Sequence, residues 1–200
     1  MNRGPSRRAA ITGLLLACGS ITAAADGGNT QSERPLASAD STAQVLHRSV
    51  KFDASFERFT SALQKILGHF PADIQQDTIE RPQLAAQRLK AAEGAQGLMI
   101  FAVFDHGAAL NMVGAPTNAR QYLIGNPLTA IQMSQHDIRA ALYAPLRVLV
   151  YERKEGQTIV EYDQPSSQFG QFGRTDVTEV ARTLDVKLER VLLQAGELAH

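Results

Sequence analysis

An α+β domain built on a mixed sheet is the fold class the sequence predicts, and three observations predict it. Strand-like and helix-like stretches interleave along the chain, which separates it from an all-α or all-β design. Two strand-like stretches, Leu146 to Glu152 and Thr158 to Tyr162, flank the short Lys154-Glu155-Gly156 turn and so require an antiparallel hairpin. The chain has 200 residues, 44% of them hydrophobic, which suffices for one core and excludes a multidomain machine. The expected architecture is a two-layer sandwich of about four to six strands with helices packed on one face.

The elements follow in order. Residues 1–25 read as a secretory signal. Arg3, Arg7 and Arg8 precede an apolar run from Ala9 to Ala17 that is too short to span a bilayer as a helix. Two endings compete: the small residues Ala23-Ala24-Ala25, or a lipobox-like Leu15-Leu16-Ala17-Cys18 that would make Cys18 a lipidated N-terminus. Residues 26–44 are polar and small, as in a flexible linker, leaving 45–200 as the folded domain. Val45 to Phe52 is the first strand. Asp53 is the expected cap of a helix carrying Phe56, Phe59, Leu63, Ile66 and Leu67, stopped by Gly68. From 69 to 96 the chain reads as a surface insertion with one short helix opened by Pro82.

Leu98 to Phe104 is a continuous apolar run, expected as a central strand covered on both faces. Asp105 caps a brief helix that ends near Gly114. Tyr122 to Ile124 is a strand, and Asn126-Pro127 opens the next helix: Asn accepts from a free backbone N–H, and Pro supplies the required φ. After the hairpin, Gln168-Phe169-Gly170-Gln171-Phe172-Gly173 reads as a loosened loop. Asp176 with Glu179 resembles a capping box, and Val177, Val180, Leu184, Leu188, Val191 and Ala195 form one stripe on the last helix.

Charge and motifs exclude more than they identify. The chain holds 20 basic and 20 acidic side chains; loss of the leader takes three Arg, leaving 17 against 20, a net of −3. That balance disfavours nucleic acid and anionic lipid as partners, so contact with a membrane is expected only through an anchor at Cys18. One Cys excludes an internal disulfide. No P-loop, Rossmann glycine pattern, His-Glu-x-x-His or Gly-x-Ser-x-Gly is present, and no cofactor is expected.

Four features stand together between about Val50 and Gly173: the helix after Phe52-Asp53, the strand entering Asp105-His106, Ile124-Gly125-Asn126-Pro127, and above all Tyr143-Ala144-Pro145-Leu146-Arg147-Val148-Leu149-Val150-Tyr151-Glu152. On those residues the chain resembles the bacterial domain of unknown function 302 family. The resemblance implies a compact α/β domain, often dimeric, with no established reaction. Leu128-Thr129-Ala130 departs from the Gly-Thr common after the Gly-Asn-Pro step, and the 69–96 connection is longer than usual.

The candidate pocket residues are Asp105, His106, Asn126, Arg147 and Glu152, polar groups beside buried strands. If they share one rim, a helix start next to an arginine favours a small anionic ligand. Strand parity places Arg147 opposite Leu146, Val148 and Val150. The leading expectation is therefore a non-catalytic binding or interaction module of the cell envelope, exported to the periplasm or lipid-anchored, and a homodimer. The alternatives are an enzyme with His106 as base and Asp105 orienting it, and a copper-binding protein using Met133 and His136, which lie three apart on one helix face.

Overall fold

A computed structural model describes residues 38–153 and 156–200. The expected leader, Cys18 and most of the linker lie outside the described residues. A six-stranded mixed sheet runs in the order β1-β6-β5-β4-β3-β2. Its strands are β1 (His47–Phe52), β2 (Gly68–His69), β3 (Met99–Asp105), β4 (Ala119–Gly125), β5 (Leu146–Arg153) and β6 (Gln157–Asp163). Every neighbouring pair is antiparallel except β2 with β3, which makes the sheet mixed, as the interleaved sequence predicts. The helices are α1 (Phe56–Ile66), α2 (Ile74–Glu80), α3 (Pro82–Ala91), α4 (His106–Leu110), α5 (Pro127–Ser134), α6 (Pro165–Phe169) and α7 (Thr175–Leu198).

Alternation along β5 sorts the two faces of the sheet. Leu146, Val148 and Val150 are buried while Arg147 is exposed. In register with them, Tyr122 and Ile124 of β4 and Val160 and Tyr162 of β6 are also buried. This inner face meets α1 and α7, whose Phe56, Phe59, Leu63, Leu184, Leu188 and Val191 complete the main core. The stripe predicted for α7 is the buried one, with Ala181, Leu192 and Gly196 added; Gly196 lies against the Phe52 ring, where a Cβ would sit 2.5 Å from Cδ1. The opposite face of the sheet presents Arg147, Leu149, Tyr151, Gln121 and Glu161, of which none is fully buried.

Several expectations require correction. Ser55, not Asp53, caps α1, its hydroxyl accepting from the Arg58 N–H at 3.4 Å. Gly68 does not stop a helix but begins β2, because its α-carbon approaches the Ala92 carbonyl so closely that a Cβ would meet that oxygen at 1.8 Å. The span 69–96 is no excursion: it contributes an edge strand and the α2–α3 pair, and Ile74, Ala85 and Leu89 bury Met99 in a second small core. β3 is not central. Its one outer neighbour pairs only with Met99 and Ile100, so the half from Val103 to Asp105 stays exposed. The Gln-Phe-Gly repeat is α6 followed by a 3₁₀ turn, with Phe169 wholly buried against Tyr143. Arg174 precedes α7 without a side-chain cap, and Asp176 sits inside its first turn rather than in a capping box.

Candidate functional site

Antiparallel register decides where the candidate residues go. Asp105 lies opposite Arg120 near the start of β4, and Asn118 just before β4 receives the Glu152 N–H at its carbonyl. Arg147 lies opposite Leu123 near the end of that strand, and Asn126 follows it. Asp105, His106 and Glu152 therefore occupy one end of the sheet, and Asn126 and Arg147 the other, a β-strand apart (roughly 20 Å at ~3.3 Å per residue). The single shared rim expected from the sequence does not form.

At the first end, Asp105 does local work. Its Oδ1 accepts from the Ala108 N–H at 2.7 Å, capping α4, and its Oδ2 lies 3.6 Å from Arg120 Nε. Among the described residues no hydrogen bond joins it to His106, so the carboxylate that was to orient the imidazole is spent elsewhere. His106 instead borders a shallow groove on the open sheet face with Gln121, Leu149, Tyr151 and Glu161. Glu152 accepts from Asn118 Nδ2 at 2.6 Å and borders a separate polar cleft with Asp105. Arg120, which sequence reasoning missed, organises this end. Its guanidinium donates to Thr60 Oγ1 at 3.2 Å and stacks 5.1 Å above the Phe56 ring. Arg120 sits beside Gln121 and two residues after Asn118, so nothing in the local sequence marked it out.

On the open face His47 stands beside two carboxylates. Nδ1 is 2.9 Å from Asp163 Oδ1, and Nε2 is 3.6 Å from Glu161 Oε2. The Asp163 hydrogen bond outweighs the small cost of desolvation and raises the imidazole above its ordinary 6.5. Burial, then the bond to Glu161 at 3.0 Å, raises the Tyr151 phenol. The proposed metal pair does not assemble. Met133 is buried in the body of the protein, whereas His136 is exposed with Nδ1 3.3 Å from Asp176 Oδ2. Arg174, first through its hydrogen bond, brings Asp176 down to about 2. Among the described residues no three His, Cys, Asp or Glu side chains are placed to hold a metal ion.

The second end of the sheet carries an apolar cavity of about 370 Å³. That volume falls within the usual range for small-molecule sites, roughly 300–1,000 Å³. The Gly-Asn-Pro and Ala-Pro-Leu segments build its walls, through Gly125, Asn126 and Pro127 on one side and Ala144, Pro145 and Leu146 on another. α5 adds Thr129, Ala130, Met133 and Ser134, and the 69–96 segment adds Phe70, Ile74 and Leu89. Phe70 stacks on Phe101, centroids 4.4 Å apart, where β3 carries a register shift between Ile100 and Ala102.

Asn126 is the latch of this cavity. Its Oδ1 accepts from the Leu128 N–H at 2.8 Å, and its Nδ2 donates to the Gly97 carbonyl and to Glu93 Oε1, both at 2.7 Å. Thr129 and Ala130 give their N–H groups to the Asn126 carbonyl, and Pro127 has none. The helix start thus has no donor left for an anion. Arg147 is exposed on the opposite face of the sheet from Leu146, which lines the cavity. Burial raises the Glu93 carboxyl, but hydrogen bonds from Lys90 and Asn126 more than offset that and leave it lowered.

A profile of the domain of unknown function DUF302 matches residues 75–195. Among solved structures, an uncharacterised conserved DUF302 protein from Bacillus stearothermophilus aligns with a TM-score of 0.54 at 15% identity, over 74% of this chain and 97% of that one. At that identity the likeness concerns the fold. Among curated proteins nothing matches the chain.

Proposed function

The chain belongs to the DUF302 family, and from that premise we propose that it is a non-catalytic binding module whose cavity takes a small apolar molecule. The observation that carries this reading is the lining: a volume of about 370 Å³ walled by aromatic, aliphatic and small side chains, with no charged residue among them. An anionic ligand finds less support, because the donors at the start of α5 are occupied and Arg147 faces away. An acid–base enzyme finds less as well, because Asp105 caps a helix instead of orienting His106.

The test is displacement of a neutral fluorescent naphthylamine from the purified domain. Wild type should bind it, Ala130→Phe should weaken binding by filling the cavity, and Arg147→Ala should leave it unchanged. If phosphate or citrate stabilises wild type but not Arg147→Ala, while the naphthylamine fails to bind, the apolar reading is wrong and the anion reading returns. Export, with or without a lipid on Cys18, is part of the proposal and rests on the basic and apolar stretches of residues 1–25. Intact mass of the chain recovered from a cell envelope distinguishes cleavage after Ala25 from acylation at Cys18. The homodimer is proposed across the open sheet face, supported by its half-buried Leu123, Leu149 and Tyr151. Sedimentation of wild type against Leu149→Asp checks it: two monomeric samples would end that part.

A further inference from the structure

Resting on the apolar-pocket reading, the structure narrows the ligand through what the polar side chains of the cavity have already done with their hydrogen bonds. Thr78 Oγ1 donates to the Ile74 carbonyl at 3.1 Å, and Ser134 Oγ donates to the Ala130 carbonyl at 3.0 Å. Asn126 is saturated by Leu128, Gly97 and Glu93. Thr129 is different. It is only 8% exposed, lines the cavity, and its hydroxyl makes no hydrogen bond among the described residues. No fully enclosed side-chain polar atom among the described residues lacks a partner, so this hydroxyl is one the contents of the cavity can reach. A ligand that displaces water from it without replacing the hydrogen bond does so at a cost.

We propose that Thr129 is the specificity residue of the cavity, and that the ligand is a neutral molecule with an aliphatic or aromatic body and a single hydrogen-bonding oxygen, as in an alkyl phenol or a medium-chain alcohol. A hydrocarbon leaves the Thr129 hydroxyl unsatisfied. A carboxylate brings a charge into a wall that offers no cation, which is costlier still. The oxygen of the ligand sits beside the first turn of α5, and its body lies along Met133, Leu146 and Phe101.

Competitive displacement of the naphthylamine by 4-propylphenol, propylbenzene and octanoate tests this. After correction for partition into octanol, wild type should prefer the phenol to the hydrocarbon by about 2- to 12-fold, the range a net hydrogen bond gives. It should bind octanoate least. Thr129→Val keeps the side-chain shape and removes the hydroxyl, so the phenol preference should disappear while the hydrocarbon binds at least as well. Thr129→Ser should restore it. Equal corrected binding of phenol and hydrocarbon by wild type overturns the assignment without any variant, as does an unchanged preference in Thr129→Val. If none of the three compounds and no naphthylamine binds, the apolar-pocket reading itself has failed.

Discussion

Replacing Asn126 should expose how much of the fold depends on one side chain. In Asn126→Ala the α5 cap is lost, which costs about 0.5–2 kcal/mol. The Gly97 carbonyl and Glu93 Oε1 also lose the Nδ2 donor each now holds at 2.7 Å. An orphaned buried acceptor costs about 1–3 kcal/mol, and Glu93 keeps Lys90 on its other oxygen at 2.6 Å. The sum is about 1.5–5 kcal/mol. With a urea dependence near ~2 kcal/mol per molar, the unfolding midpoint should fall by about 1–2.5 M. Asn126→Asp separates the two contributions. It can still accept from Leu128, but it sets a carboxylate against Glu93, so its own folded pKa rises above the unfolded value of about 3.9. Its penalty is therefore present at neutral pH and relieved as pH falls through that raised value. In wild type the lowered Glu93 contributes stability above its ordinary 4.5, lost as pH falls through its folded value. Urea midpoints at pH 7 and pH 4.5 check both. A loss below about 1 kcal/mol for Asn126→Ala, or an Asn126→Asp penalty indifferent to pH, would refute the latch.

Three further outcomes bear on the elements that pattern reading misjudged. Gly68→Ala should separate β2 from β3 by driving a Cβ into the Ala92 carbonyl, weakening two backbone bonds to the Leu98 oxygen at 3.1 Å each. The expected loss is about 1–3 kcal/mol, with faster amide exchange across β2; unchanged exchange there would contradict it. Phe169→Ala should cost about 3–5 kcal/mol and Phe172→Ala less, as melting of each variant will show; two equal, small losses would mean a loop after all. His47→Ala should lower stability at pH 5.5 and not at pH 8.5. The raised imidazole contributes stability below its unfolded 6.5 and loses it as pH rises through the folded value, so a difference that grows with pH would be the wrong sign.

Local chemistry made much of this fold legible. Asn126-Pro127 opens α5, Asp105 caps α4, and the α7 stripe is buried, because each signal is complete within one or two turns of chain. β2 was invisible for the opposite reason. It consists of two residues, and its strand character exists only because Met99 and Ile100, some thirty residues on, offer it partners. The helix pair α2–α3 carries few apolar residues, and what they bury is Met99, whose position depends on the same pairing. Phe169 stood in a glycine-rich repeat whose composition hid a fully buried ring. The site failed at one particular step. Parity correctly put Arg147 on the face away from Leu146, but which end of the sheet each residue reaches follows from strand order, and no residue in this sequence encodes strand order locally.

The cavity owes its apolar character to polar residues. Asn126, Thr78 and Ser134 all line it, yet each directs its hydrogen bonds into the protein, so that the surface left facing inward is mostly carbon. The wall opposite α5 is held in a different way. Asp77, buried midway along α2, receives Arg88 at 2.5 Å and also Arg81, and Arg88 reaches on to Asp73 at 2.7 Å. Hydrogen bonds from Arg88, acting against desolvation, lower the Asp77 carboxyl, so the network is intact at neutral pH. Apart from it, Ile74, Ala85 and Leu89 hold α2–α3 mainly through Met99, a far smaller core than the one beneath α1 and α7. Local opening draws on regions with few buried apolar contacts. The α2–α3 wall rests on a small apolar set together with the arginine–carboxylate network, whereas the α5 side of the cavity is backed by the main core.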